Sequence, residues 1–440
     1  MNLVDGRVLD TKACDAVLDA LEARILATLQ GERLDPEWVV AACGRLVETL
    51  DESFFLRTLA DLGFDEDLAR GYLDDARLMF GEAYLRERMH KELGEGHGRA
   101  TTFVPFGAPR SVTERLEPLG TLLHVAAGNA DGLPAFSVLE GLLTGNLNIL
   151  KLPAAEGGLS IRLLQELIRI EPRISPYVYV FDYSSRDVVQ IAKLVAVSDA
   201  VVVWGGAEAV AALRRLAGPD TKLIEWGHKV SFAYVTAAGW TQEALAGLAH
   251  NIVETGQLLC SSCQGIFVEV GGDAGGGADG AVDALESASD FCSRFLAVLE
   301  SAVSDRAKDL GLGLESQIAL QVFTEELESV YTDARVFRGA HCSLIAYPDR
   351  DLKPSIQFGN AWVKALPRAE ILATLRPYKG FLQTVGLLCG DDERDELTRL
   401  FWRTGVARVC TGERMSTTYC GAPHDGEYPL RRYTRVVSAE

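Results

Sequence analysis

Between residues 120 and 228, short apolar runs alternate with stretches of helical periodicity. The runs at 120–127, 147–152, 177–181, 200–204 and 222–225 are too short for helices and rich in Val, Ile, Leu and Tyr, so they read as strands. The intervening segments 134–143, 160–168, 185–197 and 208–216 read as helices. Strands alternating with helices imply βαβ units, whose parallel sheet is buried on both faces. A second α/β series follows, with strands at 230–235, 265–270, 382–388 and 406–409 and helices at 242–251, 281–307 and 393–402. Ahead of both, residues 1–98 read as helical. Val17, Leu18, Leu21, Ile25 and Leu29 share one helical face, and 37–50 and 68–93 behave alike. The expected organisation is an α/β protein with a helical N-terminal region (1–99), a Rossmann-like domain (100–228), a second α/β domain (229–409) and a C-terminal segment (410–440). That last segment is read as serving assembly or returning to the Rossmann-like domain.

Composition narrows the function classes. The 440 residues carry 62 Asp plus Glu against 43 Lys plus Arg, a net charge of -19. Such a chain repels phosphate backbones and anionic membranes, so neither nucleic acid nor a membrane surface is an expected partner. The sequence has no long uncharged apolar run, so no membrane span is expected, and the first residues do not read as a secretory signal. Nine cysteines at irregular spacings do not form a disulfide framework, and a reduced, cytoplasmic protein is expected.

Five segments carry residue types suited to chemistry. In 254–264 a cysteine follows a Gly-Gln turn among small polar neighbours, which leave a thiol accessible and backbone N–H groups able to support an oxyanion. Cys260 and Cys263 are both candidate nucleophiles at this level, and a buried structural cysteine is the bland alternative. Their Cys-x-x-Cys spacing also fits half a zinc site or a redox pair, but no second ligand pair accompanies it and no metal is expected. Glu225 ends a strand before a Gly turn, where a carboxylate can act as general base or simply be solvated. Asn129 follows a strand and precedes a Pro-led helix, as an oxyanion donor or a turn residue would. Lys151 ends a strand beside a sheet crevice, suited to a ribose hydroxyl or phosphate. Gly205 and Gly206 sit between a strand and a helix starting near Glu208, a favourable place for an anion. The glycine-rich stretch 271–280 lacks the Gly-Lys-Ser/Thr ending of a phosphate loop and reads as a surface turn.

The order and spacing of these segments resemble the aldehyde dehydrogenase superfamily. The segment 124–134 resembles that family's strand-Asn-Pro element, and 145–151 its "GN…LK" strand. Trp204 to Glu208 resembles its Gly turn over the cofactor phosphates, 225–229 its "ELGGK" element, and Gly256-Gln257 before Cys260 its "GQxC" nucleophile. A finer resemblance is to the acyl-CoA reductase subunit of bacterial bioluminescence fatty acid reductases, through "HVAAGNADGLPAFSVLEGLLTGN", "CSSCQ" and "GVARVCTGERMSTTYCGAPHDGEYPL". The resemblance implies Cys260 as nucleophile, Glu225 as general base and Asn129 in the oxyanion hole. Cofactor contacts are implied at Lys151, Gly205, Gly206, Glu208 and Ala154. Many NAD-preferring relatives have an acid where Ala154 stands, so NADPH is the expected cofactor, with NADH as the alternative. Two departures stand out. Gln257 is separated from Cys260 by two leucines, one residue more than usual, and His228 replaces the second Gly of "ELGGK".

The implied function is reduction of an acyl thioester, acyl-CoA or carrier-bound, to an aldehyde through a cysteine acyl-enzyme. The alternatives are oxidation of an aldehyde to an acid, or an inactive cofactor-binding scaffold. By analogy, a homodimer or homotetramer is expected.

Overall fold

The computed structural model describes residues 2–61, 66–94, 98, 100–126, 132–153, 158–271, 278–304 and 310–440. The chain divides into two units, Met1–Gly227 with Cys420–Glu440, and His228–Tyr419.

The first unit is built on a seven-stranded sheet. It begins with a hairpin, β1 (Asn2–Val4) and β2 (Arg7–Leu9). The first ten residues therefore depart from the expected helical pattern. Asp5 and Gly6 both have positive φ, 51° and 71°, as a two-residue hairpin turn requires. The helices that follow, Thr11–Asp19 and Leu21–Gln30, are separate, and the expected 68–93 helix is divided into Glu66–Phe80 and Glu82–Leu93 around Gly81. Strands β3 (Thr101–Phe103) and β4 (Val112–Pro118) form a small antiparallel sheet with Thr434–Ala439, so the C-terminal segment completes the first unit.

The main sheet continues through β5 (Thr121–Val125), β6 (Leu147–Lys151), β7 (Val178–Phe181), β8 (Ala200–Trp204) and β9 (Lys222–Trp226). Its order is β2-β1-β7-β6-β5-β8-β9, with β5 to β9 parallel. Strands β6 and β7 are buried along their whole length, as a parallel sheet covered on both faces demands. The order reverses at β5, between β6 and β8, which is the switch point where open α/β sheets bind ligands at the carboxyl ends of their strands.

Beneath that edge lies a buried polar relay. Trp204 Nε1 donates to Ser137 Oγ (3.1 Å), Ser137 shares a 2.7 Å bond with His124 Nδ1, and His124 Nε2 lies 3.0 Å from Asn148 Oδ1. Asn148 Nδ2 donates onward to the Asn146 carbonyl (2.8 Å). Every link is satisfied with a neutral imidazole protonated at Nε2. Gly141 must be glycine here, because a Cβ would stand 1.8 Å from Asn148 Oδ1. Burial pushes the His124 imidazole down to about 4, against the opposing bond from Asn148. A histidine lowered in this way contributes stability that is complete above its unfolded value near 6.5 and is lost as pH falls through its folded value. The loss should approach about 3 kcal/mol by pH 4. Denaturant unfolding followed from pH 7 to pH 4 should show this slope, and His124→Asn should remove it. Parallel profiles for the two proteins would exclude the assignment.

The second unit holds another seven-stranded sheet. Its strands are β10 (Val230–Val235), β11 (Cys263–Val268), β12 (Arg335–Arg338), β13 (Ser343–Tyr347), β14 (Asn360–Ala365), β15 (Leu382–Leu388) and β16 (Arg408–Thr411). The order is β12-β13-β14-β11-β10-β15-β16, parallel except for β12. Helices Gln242–Glu254 and Ala278–Ser304 pack their apolar faces on it, burying Leu248, Ile252, Phe291 and Phe295. Strand β11 starts two residues earlier than its apolar run suggests, because Cys263 already pairs with Ser231.

Candidate active site

The segment 255–262 is a turn whose conformation is set by two successive left-handed residues, Gly256 (φ 57°) and Gln257 (φ 62°). Glutamine is strained there by roughly 1–2 kcal/mol. Buried hydrogen bonds offset that cost. Gln257 is fully buried, its Nε2 donates to the carbonyls of Cys263 (2.8 Å) and Asn360 (3.2 Å), and its Oε1 accepts from the Gly359 N–H (3.0 Å). Gln264 closes the knot by donating to the Gln257 carbonyl (2.8 Å). The Gly-Gln pair recognised in the sequence thus anchors the cysteine turn to the 355–360 loop.

The two candidate cysteines end in opposite environments. Cys260 is exposed, on the turn, with its carbonyl held by Ser231 Oγ (2.7 Å). Cys263 is fully buried in β11, donates to the Gly265 carbonyl, and burial pushes its thiol up to about 12. All nine cysteines are free, and Cys260 is the exposed one. A nucleophilic thiol must be both accessible and ionisable, and only Cys260 of this pair is accessible.

Glu225 lies near the end of β9, beside Val203 of β8, and is ion-paired with Arg214 from the last turn of the helix Ala207–Leu216. Arg214 was not singled out from the sequence, since its proximity depends on that helix folding back along β9. His228 is exposed.

At the carboxyl edge of the first unit's sheet, Lys151 ends β6 and is buried, with Nζ donating to Ser185 Oγ (2.8 Å). Burial holds its ammonium below the usual lysine range, partly countered by Asp182. Gly205 and Gly206 follow β8 at the same sheet edge, about 10 Å away across two strand spacings. Gly206 is the N-cap of the helix Ala207–Leu216 and supplies no side-chain cap. The first N–H groups of that helix therefore have no side-chain acceptor at the cap, as a phosphate site needs. Glu208 is exposed in its first turn. Asn129, Ala154 and the glycine-rich 272–277 lie outside the described residues. An uncapped helix start and a buried ammonium at one switch-point edge fit a dinucleotide.

The fold is that of the aldehyde dehydrogenases. The NAD-dependent aldehyde dehydrogenase from Sinorhizobium meliloti superposes with a TM-score of 0.76 at 15% identity, covering 100% of this chain and 94% of that one. The glyceraldehyde-3-phosphate dehydrogenase from Methanocaldococcus jannaschii, complexed with NADP, gives 0.71 at 12% identity over 98% and 95% of the two chains. Within this fold, the model of the acyl-CoA reductase (LuxC) family matches residues 39–283 and 340–436, and the chain belongs to that family. It is a homologue of acyl-thioester reductases, and by family an aldehyde-forming oxidoreductase. The long-chain acyl-protein thioester reductase of Aliivibrio fischeri is 23% identical over 392 residues, 86% of this chain and 75% of that protein. The Vibrio harveyi protein of the same name is 28% identical over 195 residues, 44% and 40% of the two. Among the described residues no helix is long and apolar enough to cross a membrane.

Proposed function

We propose that this chain reduces acyl thioesters of long-chain acids to aldehydes, with Cys260 as the nucleophile. The contrast between an exposed Cys260 on an anchored turn and a buried Cys263 is the observation that carries this reading. The thiolate of Cys260 attacks the thioester carbonyl, and the carrier thiol departs to leave an acyl-enzyme. The Asn129 amide and the Cys260 N–H receive the developing oxyanion. Lys151, Gly205, Gly206 and Glu208 hold a nicotinamide dinucleotide, NADPH in preference to NADH, since Ala154 offers no carboxylate against a 2′-phosphate. When bound, the reduced nucleotide supplies the hydride that brings the acyl group to the aldehyde level. Glu225 serves as proton acceptor and donor at the sulfur.

The donor is an acyl-CoA or an acyl-carrier protein, and the chain works as a homodimer or homotetramer. Its setting is reducing and cytoplasmic, as nine irregularly spaced cysteines suggest.

The test is a panel of acyl-CoA and carrier-bound donors with each nucleotide, following cofactor oxidation and trapping the product. Aldehyde formation, faster with NADPH, is expected. Oxidation of added aldehyde to acid with no aldehyde formed from any donor would overturn the reading.

A further inference from the structure

Strand β10 is irregular on both sides at Ser231. Towards β15, Val230 pairs with Leu382 but Phe232 pairs with Val385, so β15 carries one extra residue at Gln383–Thr384. Towards β11, Ser231 pairs with Cys263 but Ala233 pairs with Ile266, another extra residue. A bulge re-aims a side chain at the expense of ladder bonds. Here the displaced bonds are taken up by Ser231. Its Oγ accepts from the Thr384 N–H (3.0 Å) and donates to the Cys260 carbonyl (2.7 Å). The hydroxyl thereby ties the bulge of β15 directly to the cysteine turn. The re-aimed side chain is Gln383, which is 7% exposed, and its Nε2 lies 3.1 Å from Cys260 Sγ.

We propose that Gln383 is a further catalytic residue, whose side-chain amide donates to the Cys260 sulfur, fixes its position and stabilises the thiolate over the thiol. This rests on Cys260 being the nucleophile. The chemistry follows from the contact: an amide N–H is a fixed dipole, and a hydrogen bond to a full negative charge is about twice as strong as one to a neutral acceptor. The bond therefore favours the ionised sulfur. It does so without a cation, so it leaves no charge beside the acyl-enzyme. Gln383 is held by its own burial and by the Ser231 bridge, so the donor is in place before any substrate arrives.

The proposal is tested on the full-length protein with neither acyl donor nor nucleotide present. Alkylation of Cys260 by iodoacetamide is followed by peptide mass against pH, for the wild type, Gln383→Leu and Gln383→Glu. Loss of the donor in Gln383→Leu should raise the midpoint of the alkylation profile by about one pH unit and slow alkylation at pH 7 about 5–10-fold. Gln383→Glu places a carboxylate at the same distance and should raise the midpoint further. Thermal melting identifies which variants fold, and if Gln383→Leu does not, the isosteric Gln383→Glu alone decides. A wild-type midpoint in every folded variant overturns the proposal. The outcome is separable from the reaction assigned above. Shifted midpoints with no acylation of Cys260 by any donor would leave Gln383 acting on the sulfur and remove the thioester reaction.

Discussion

Replacing Cys260 with alanine is expected to lower thioester-dependent oxidation of the reduced nucleotide by about 1,000-fold or more. The same replacement at Cys263 should leave the rate within a few-fold of wild type and cost about 1 kcal/mol of stability, the price of a small void beside β11. The two cysteines are three residues apart and chemically identical, so the contrast isolates what the fold does to each. Cys263 has exchanged its access to solvent for a place in a buried strand, and burial keeps its thiol protonated at any physiological pH. Cys260 sits where the chain leaves the Gln257 knot and remains exposed. Intact-mass measurement after mixing with an activated donor, without nucleotide, should show one acyl adduct, present in Cys263→Ala and absent in Cys260→Ala. An adduct retained in Cys260→Ala, or full activity in that variant, would transfer the role elsewhere.

Much of this was legible in the sequence where burial on both faces forces a continuous apolar run. Strands β6, β7, β8 and β10 are such runs, and their expected positions agree with the structure to within a residue or two. Strand β14 was not recognised because Lys364 interrupts its apolar pattern. That lysine is fully buried and is accommodated by Asp349 and the Asp351 carbonyl, partners that only the folded chain brings near. The N-terminal hairpin differs, since it does carry a local signal. Asp5-Gly6 between Leu3-Val4 and Val8-Leu9 is a strong local hairpin cue, and the helical periodicity that begins at residue 10 masks it.

At the site, sequence spacing pointed to the residues with reactive groups but not to those that hold them. Gly256-Gln257 was visible as a motif, yet the burial of Gln257 and its bonds to the 355–360 loop depend on contacts about a hundred residues apart. Ser231, Gln383 and Arg214 carry no local signature at all. Their places follow from strand register and from one helix folding back on its strand, which periodicity does not encode.

Replacing Arg88 with methionine is expected to cost about 3–5 kcal/mol. Arg88, on the helix Glu82–Leu93, is 6% exposed and bonds two buried carboxylates, Glu92 on its own helix (2.5 Å) and Glu140 on the helix Leu133–Leu143. Each carboxylate also receives a donor from the C-terminal segment. Glu140 Oε2 accepts from the Tyr433 hydroxyl (3.1 Å), and Glu92 Oε2 from the Leu430 N–H (2.9 Å). One cation thus neutralises part of a cluster that joins three distant stretches of sequence within the first unit. Burial raises Glu92 above the usual carboxylate range even with Arg88 present. A carboxylate raised on folding contributes stability below its unfolded value near 4.3, and that contribution is lost as pH rises through the folded value. Without Arg88 both acids lose their counter-charge, so the variant's deficit should be greatest at neutral pH and shrink as acidification protonates them. Guanidinium unfolding at pH 7 and pH 5 measures this directly. Adding Glu140→Gln to Arg88→Met should return part of the loss at pH 7, because it removes one of the two stranded charges while keeping an acceptor for Tyr433. Strictly additive losses in the double variant, or a deficit independent of pH, would show that Arg88 acts by packing against Phe136, whose ring it covers at 5.1 Å, and not by neutralising the acids.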